Sequence, residues 1–175
     1  MSKSLKVAII GASGYSGAEL VGLLLKHPSA TLNTLMTVNQ ERQTGKSRKY
    51  SEELPQFYRR CDFEIEPLNL EVLLERKIDA VFMATPNETS HDLVPELLEK
   101  NFRVIDLSGA YRLKQASLYP KWYGFEHHFP ALLNEAVYGL TELQREKVRQ
   151  ARLLANPGCL KFRTITVWFP GWFVI

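Results

Sequence analysis

The sequence is poor in cysteine, in net charge and in long apolar runs, and each shortage excludes something. Two cysteines in 175 residues, Cys61 and Cys159, are too few for a disulfide framework and lie far apart. A reducing cytoplasm is the simplest compartment for such a chain. A net charge of +3 gives no reason to expect nucleic acid, which demands basic residues gathered on one face. The apolar run Val7 to Ile10, behind the polar Met1 to Lys6, is shorter than a signal-peptide core and far short of a membrane span. There is no internal repeat and no low-complexity tract, and no cluster is read as a metal site. What is present, 45% hydrophobic and 23% charged residues, is ordinary for a soluble globular chain with a core for one domain or one and a half.

The apolar residues fall into alternating strand and helix patterns. Leu5 to Ile10 reads as a short buried strand closed by Gly11. Ala18 to Lys26 reads as a helix whose apolar face carries Leu20, Val21, Leu24 and Leu25. Thr31 to Val38 is a second strand, Asn39 to Arg60 a basic loop or irregular helix, Phe63 to Ile65 a third strand and Leu70 to Arg76 a short helix. Asp79 to Ala84 is apolar, β-rich and closed by Thr85-Pro86; Glu88 to Lys100 is a helix and Arg103 to Leu107 a strand. Tyr111 to Glu135, rich in aromatics, Pro, Gly and His, reads as an ordered loop, followed by a helix over Glu142 to Ala151 and a strand over Leu153 to Ala155. Alternation at this spacing predicts a Rossmann-type α/β domain with a doubly wound parallel sheet, because parallel neighbours need long crossovers.

The turn after the first strand reads Gly11-Ala12-Ser13-Gly14-Tyr15-Ser16-Gly17, G-x-x-G-x-x-G between a strand and a helix. Glycine tolerates positive φ there and lets main chain approach a pyrophosphate, while the helix N-terminus offers free N–H groups to the anion. The spacing differs by one residue from the usual G-x-G-x-x-G, and three glycines without the strand and helix would carry little weight. The pattern predicts a nicotinamide dinucleotide. NAD-binding versions carry Asp or Glu about 20 residues on, to hold the ribose 2′-hydroxyl. Here the second strand ends Met36-Thr37-Val38-Asn39 without a carboxylate, Arg42 follows, and Ser13 lies in the turn. A 2′-phosphate would welcome both, so NADP is favoured, with Glu41 the dissenting residue. A solvated loop charge is an equal reading of Arg42.

Ala155-Asn156-Pro157-Gly158-Cys159 forms a sharp turn that would present the cysteine at a strand end, where open α/β sheets bind ligands. A thiol there is reactive when a helix N-terminus or a cation lowers its pKa. Attack of the thiolate on an acyl phosphate would give a thioester, which hydride reduces to an aldehyde. A lone cysteine in a turn is more often inert; the dinucleotide fold shifts the balance towards catalysis.

Several stretches occur together: Gly11-Ala-Ser-Gly-Tyr-Ser-Gly-Ala-Glu-Leu20, Ala84-Thr-Pro86 with Ser90-His91, Asp106-Leu-Ser-Gly-Ala-Tyr-Arg112, Tyr123-Gly-Phe125, Tyr138-Gly-Leu140 and Asn156-Pro-Gly-Cys159. In order and approximate spacing the chain resembles the N-terminal half of the N-acetyl-γ-glutamyl-phosphate reductase family of arginine biosynthesis. The resemblance implies NADPH-dependent reduction of N-acetyl-L-glutamyl 5-phosphate, an acyl phosphate, to the semialdehyde. It implies Cys159 as nucleophile, Gly11, Ser13, Gly14, Tyr15, Ser16 and Gly17 on the cofactor phosphates, and Thr85 and Pro86 beside the cofactor. Ser108, Arg112 and Asn156 would line the substrate pocket, Arg112 because its fork binds oxyanions in pairs. A full-length member is expected to be a homo-oligomer. Bland readings stand beside these: Arg112 as a loop ion pair, His91 as structural, Trp122, Tyr123 and Phe125 as packing, and Cys61 as an incidental thiol. His127 and His128, in the aromatic loop, are weaker substrate contacts.

After Cys159 the resemblance stops. Leu160 to Ile175 is β-branched and aromatic, with Pro170 and Gly171 breaking the run. The expectation is a cofactor domain over 1–159, a divergent apolar tail over 160–175 from a frameshift or an early end, absence of the family's second α+β domain, and little or no turnover by these residues. An aspartate-semialdehyde dehydrogenase-like reductase is the enzymatic alternative, and a non-catalytic NADP-binding fragment the alternative of another class.

Overall fold

The computed structural model describes residues 4–38 and 48–158; Arg42, Cys159 and the 160–175 tail, all singled out above, lie outside the described residues. Strand β1 (Leu5–Ile10) leads through helix α1 (Tyr15–Leu24) to β2 (Ala30–Thr37). A strand pair and a short helix follow as β3 (Arg48–Lys49), α2 (Tyr50–Glu53) and β4 (Glu64–Pro67). Then come α3 (Leu70–Glu75), β5 (Ala80–Met83), α4 (Asn87–Glu99) and β6 (Arg103–Asp106). The last part holds α5 (Tyr119–Tyr123), α6 (Pro130–Glu135), β7 (Val137–Tyr138), α7 (Thr141–Gln150) and β8 (Leu153–Ala155). Among the described residues the strands form one sheet in the order β3-β4-β2-β1-β5-β6-β8-β7. Every neighbouring pair is parallel except β3 with β4.

The two-residue period of a strand explains the layers. Val7 and Ile9 of β1 pack with Val21 and Leu24 of α1 and with Leu35 of β2. Ala8 and Ile10 face the other way, towards Leu73 of α3 and Val94 and Leu97 of α4. Phe82 and Val81 divide between the same two clusters. Both faces of the central strands are covered, which is why their sequences are continuous apolar runs instead of alternating ones. The crossover through α1 lies on one face and those through α3 and α4 on the other. The winding therefore reverses between β1 and β5, and the carboxyl ends of these two strands open the crevice where such sheets take ligands.

Three local features differ from the sequence expectation. Helix α1 starts at Tyr15, three residues before Ala18, because Gly14 takes the extended N-cap conformation directly after the turn. The stretch 111–135, expected as loop, contains α5 and α6, each opened by a proline in its first turn, α5 closed by left-handed Gly124 at φ +80°. Strand β7, two residues long, carries no sequence signal of its own and forms by pairing with β8.

Candidate dinucleotide and substrate site

The glycine turn sits at the end of β1. Gly11 has φ +90°, and a Cβ on it would lie 2.4 Å from the Ala84 carbonyl oxygen at the end of β5. The two strand ends are thus in contact across the switch point. The Gly11 N–H donates to the Met36 carbonyl at 2.8 Å, and the buried Tyr50 hydroxyl donates to the Ala12 carbonyl at 2.8 Å, pinning the turn from β2 and α2. Gly17 is fixed by packing, since a Cβ would lie 2.5 Å from the Gly11 carbonyl oxygen. Gly14 is not: a Cβ there would meet nothing nearer than that oxygen at 3.9 Å. Tyr15 and Ser16 are exposed at the start of α1, whose first turn has no side-chain cap and no acidic residue.

The β5 and β6 exits are joined by buried polar groups. Thr85 Oγ1 and Ser90 Oγ are 2.8 Å apart, and Ser90 in turn bonds the Asp106 carboxylate. Asp106, fully buried at the end of β6, accepts from the Ser108 N–H at 3.0 Å and from the Ser108 hydroxyl at 2.8 Å. Burial raises the Asp106 carboxyl above its usual range, against the pull of these bonds and of the Arg112 charge. The Asn87 side chain accepts from the Gly109 N–H at 2.7 Å. Pro86 is exposed beside this network.

Arg112 is bound to main chain. Its Nε donates to the Asn156 carbonyl at 2.8 Å and its Nη2 to the Leu107 carbonyl at 2.7 Å. The Asn156 N–H donates to the Asp106 carbonyl at 2.8 Å. Ser108, Arg112 and Asn156 are therefore brought together at the adjacent ends of β6 and β8. Among the described residues Arg112 makes these bonds to carbonyls and not the loop ion pair of its bland reading.

The aromatic loop is a packed cluster. His91 shares a 2.6 Å bond with Asp92 through Nδ1 and accepts the His128 N–H at Nε2. His127 is buried between the rings of His91, Tyr111 and Tyr119. Its Nδ1 accepts the Phe129 N–H at 3.2 Å, while Nε2 has no partner at hydrogen-bond geometry among the described residues. Burial pushes this imidazole down to about 4, His91 and His128 add to that, and the Ala110 carbonyl acts the other way. Tyr119 is pushed up to about 12, chiefly by burial. Tyr123 and Phe125 pack against Tyr119, but Trp122 is exposed with Lys121 over its ring, so it is not core. Cys61 is buried and free, its thiol raised by burial.

The sequence reading missed Asp106, Ser90 and Asn87 as organisers of the site. Asp106 carried the available signal, a carboxylate at the end of an apolar strand that has to be buried and bonded. No helix among the described residues is long and apolar enough to cross a membrane.

An open, doubly wound parallel sheet with a glycine turn at its switch point defines the dinucleotide-binding class of α/β domain. Residues 6–151 match the family model for semialdehyde dehydrogenase, NAD binding domain, and the chain belongs to that family. It is 44% identical over 155 residues to N-acetyl-gamma-glutamyl-phosphate reductase of Yersinia pseudotuberculosis, covering 89% of this chain and 46% of that protein. The protein of the same name from Halothermothrix orenii is 40% identical, with 89% of this chain and 43% of that protein covered. Among solved structures, aspartate semialdehyde dehydrogenase II from Vibrio cholerae superposes with a TM-score of 0.61 at 18% identity, over 94% of this chain and 41% of that one. The chain thus spans less than half the length of the curated relatives it matches. The relatives are reductases by name, as the resemblance implied.

Proposed function

We propose that the 175 residues are the nicotinamide-binding part of an NADPH-dependent N-acetyl-γ-glutamyl-phosphate reductase. The observation that carries the reading is Gly14. The fold leaves room for a side chain there, yet the position is glycine, beside an uncapped helix N-terminus. That combination fits close approach of a dinucleotide pyrophosphate. Gly11, Ser13, Gly14, Tyr15, Ser16 and Gly17 would hold the phosphates, with Thr85 and Pro86 at the facing strand end. The absence of a carboxylate at Thr37-Val38, with Ser13 and Arg42, favours NADP.

In the whole protein, Cys159 attacks the acyl carbon of N-acetyl-L-glutamyl 5-phosphate. A sulfur–carbon bond forms, the carbon–oxygen bond to phosphate breaks, and inorganic phosphate leaves. The nicotinamide, when bound, would supply the hydride that reduces the thioester carbonyl. Breaking of the sulfur–carbon bond would then release the semialdehyde and leave Cys159 as the thiolate. Ser108 and the Asn156 side-chain amide would orient the substrate, and the Arg112 Nη1, unused in the two carbonyl bonds, would face an oxyanion. Identity of 40–44% to reductases of this name favours them over aspartate-semialdehyde dehydrogenase, whose likeness lies at 18%. The 175 residues taken alone are expected to bind cofactor without turnover, in a cytoplasmic setting, and the full-length protein to be a homo-oligomer.

Joined to a relative's C-terminal half, the chain should reduce N-acetyl-glutamyl phosphate with NADPH, and Cys159→Ala should lower kcat by a factor on the order of 1000 or more while cofactor binding persists. Equal turnover by the Cys159→Ala form would remove the thioester route. Preference for aspartyl phosphate would reassign the substrate.

A further inference from the structure

We infer that Arg112 is the positioning residue of the turn that leads to Cys159. This rests on the proposed role of Cys159 for its catalytic meaning, though not for its geometry. The guanidinium spans two adjacent strand exits: one N–H donates to Leu107, just past β6, and another to Asn156, just past β8. Both acceptors are main-chain carbonyls, so the side chain fixes backbone, whatever it also offers a substrate. Its third nitrogen lies against the end of the same turn. A Cβ on Gly158 would stand 2.9 Å from Nη1 and 3.5 Å from Cζ, so glycine at 158 makes room for the guanidinium. Asn156 is held from the other side by its N–H bond to the Asp106 carbonyl. The Asn156-Pro157-Gly158 segment, which directly precedes Cys159 in the sequence, is therefore clamped between Asp106 and Arg112. A planar fork with donors in fixed relative positions can bind two separate carbonyls at once. A lysine ammonium, a point donor on a flexible stem, cannot reproduce that span.

The separation of charge from geometry gives the test. Amide hydrogen exchange and iodoacetamide alkylation of Cys159 across pH are measured on the 175-residue chain, on Arg112→Lys and on Arg112→Ala. The Asn156 amide, bonded to the Asp106 carbonyl, and the Gly139 amide, bonded to the Ala155 carbonyl, report on the turn. The Gly11 and Ala84 amides report on the central sheet. Expected in both variants is exchange at Asn156 about tenfold faster, from loss of a charge-assisted bond, with Gly11 and Ala84 unchanged. The pH midpoint of Cys159 alkylation is expected to rise in both, because Ala removes the cation beside Gly158 and Lys, without the bidentate fork, does not fix one there. If Arg112→Ala does not fold, Arg112→Lys decides. Natural exchange and midpoint in Arg112→Lys would mean that charge alone suffices and would overturn the inference. Uniform acceleration across the sheet would also overturn it, by making Arg112 a general packing residue. Neither readout uses cofactor or substrate, so failure of NADPH binding would remove the proposed function and leave this result standing.

Discussion

A Cβ on Gly17 collides with the Gly11 carbonyl oxygen, while one on Gly14 reaches only ordinary contact with it. The two positions therefore separate folding from ligand binding within one turn. Gly17→Ala should lower stability by about 1–3 kcal/mol, since backbone has to shift to admit the methyl. Gly14→Ala should leave the melting temperature within a degree or two and weaken NADPH binding by about tenfold or more. Thermal melts and cofactor titrations on both variants check this; equal losses of stability would show that the turn has no position reserved for a ligand. His127 supplies a pH dependence. Its folded-state pKa is depressed to about 4 from 6.5. The unfolded chain thus binds more protons between these values. The stability linked to the neutral ring is complete above about 6.5 and is lost as pH falls towards 4, up to roughly 3 kcal/mol. His91 and His128 face the same ring, and Tyr111 and Tyr119 pack on it. His127→Phe should flatten the stability profile across this window, measured by denaturant unfolding; an unchanged slope would assign the acid sensitivity elsewhere.

At the scale of elements, the long periodic ones were legible and the short ones were not. The helix expected over Glu88 to Lys100 is α4 within one residue at each end, because Leu93, Val94, Leu97 and Leu98 repeat on one face against the sheet. Strands β1, β5 and β6 stood out as apolar runs because both of their faces are buried. Helices α5 and α6, of 5 and 6 residues, show no period, and their existence depends on packing around Tyr119 and Leu133. The glycine turn could be read in the sequence because its chemistry is local. The Asp106 network could not, because Thr85, Ser90, Ser108 and Asn156 meet only once three strands lie side by side. Element ends carry their own test. The Asn69 side chain caps α3 by accepting the Glu71 N–H at 3.0 Å. Asn69→Ala should cost about 0.5–1 kcal/mol at this exposed cap, with no change in cofactor affinity. A cost near zero would mean that solvent satisfies the helix end equally well.

For the whole molecule, the proposed function makes these residues a folded dinucleotide domain whose chemistry would be completed by the rest of a longer reductase. Both faces of the sheet are covered by this chain's own helices, and described residues at the ends of β1 and β5 line the crevice at the reversal. Under the proposed function, cofactor binding would rest on residues of this chain, and turnover would also need the part of the matched reductases that this chain does not cover. The most direct measurement is fluorescence titration of the 175-residue chain with NADPH and with NADH. Saturable binding is expected, with a Kd on the order of micromolar and at least about tenfold preference for NADPH, the preference worth roughly 1.4 kcal/mol. A folded chain that binds neither dinucleotide would contradict it.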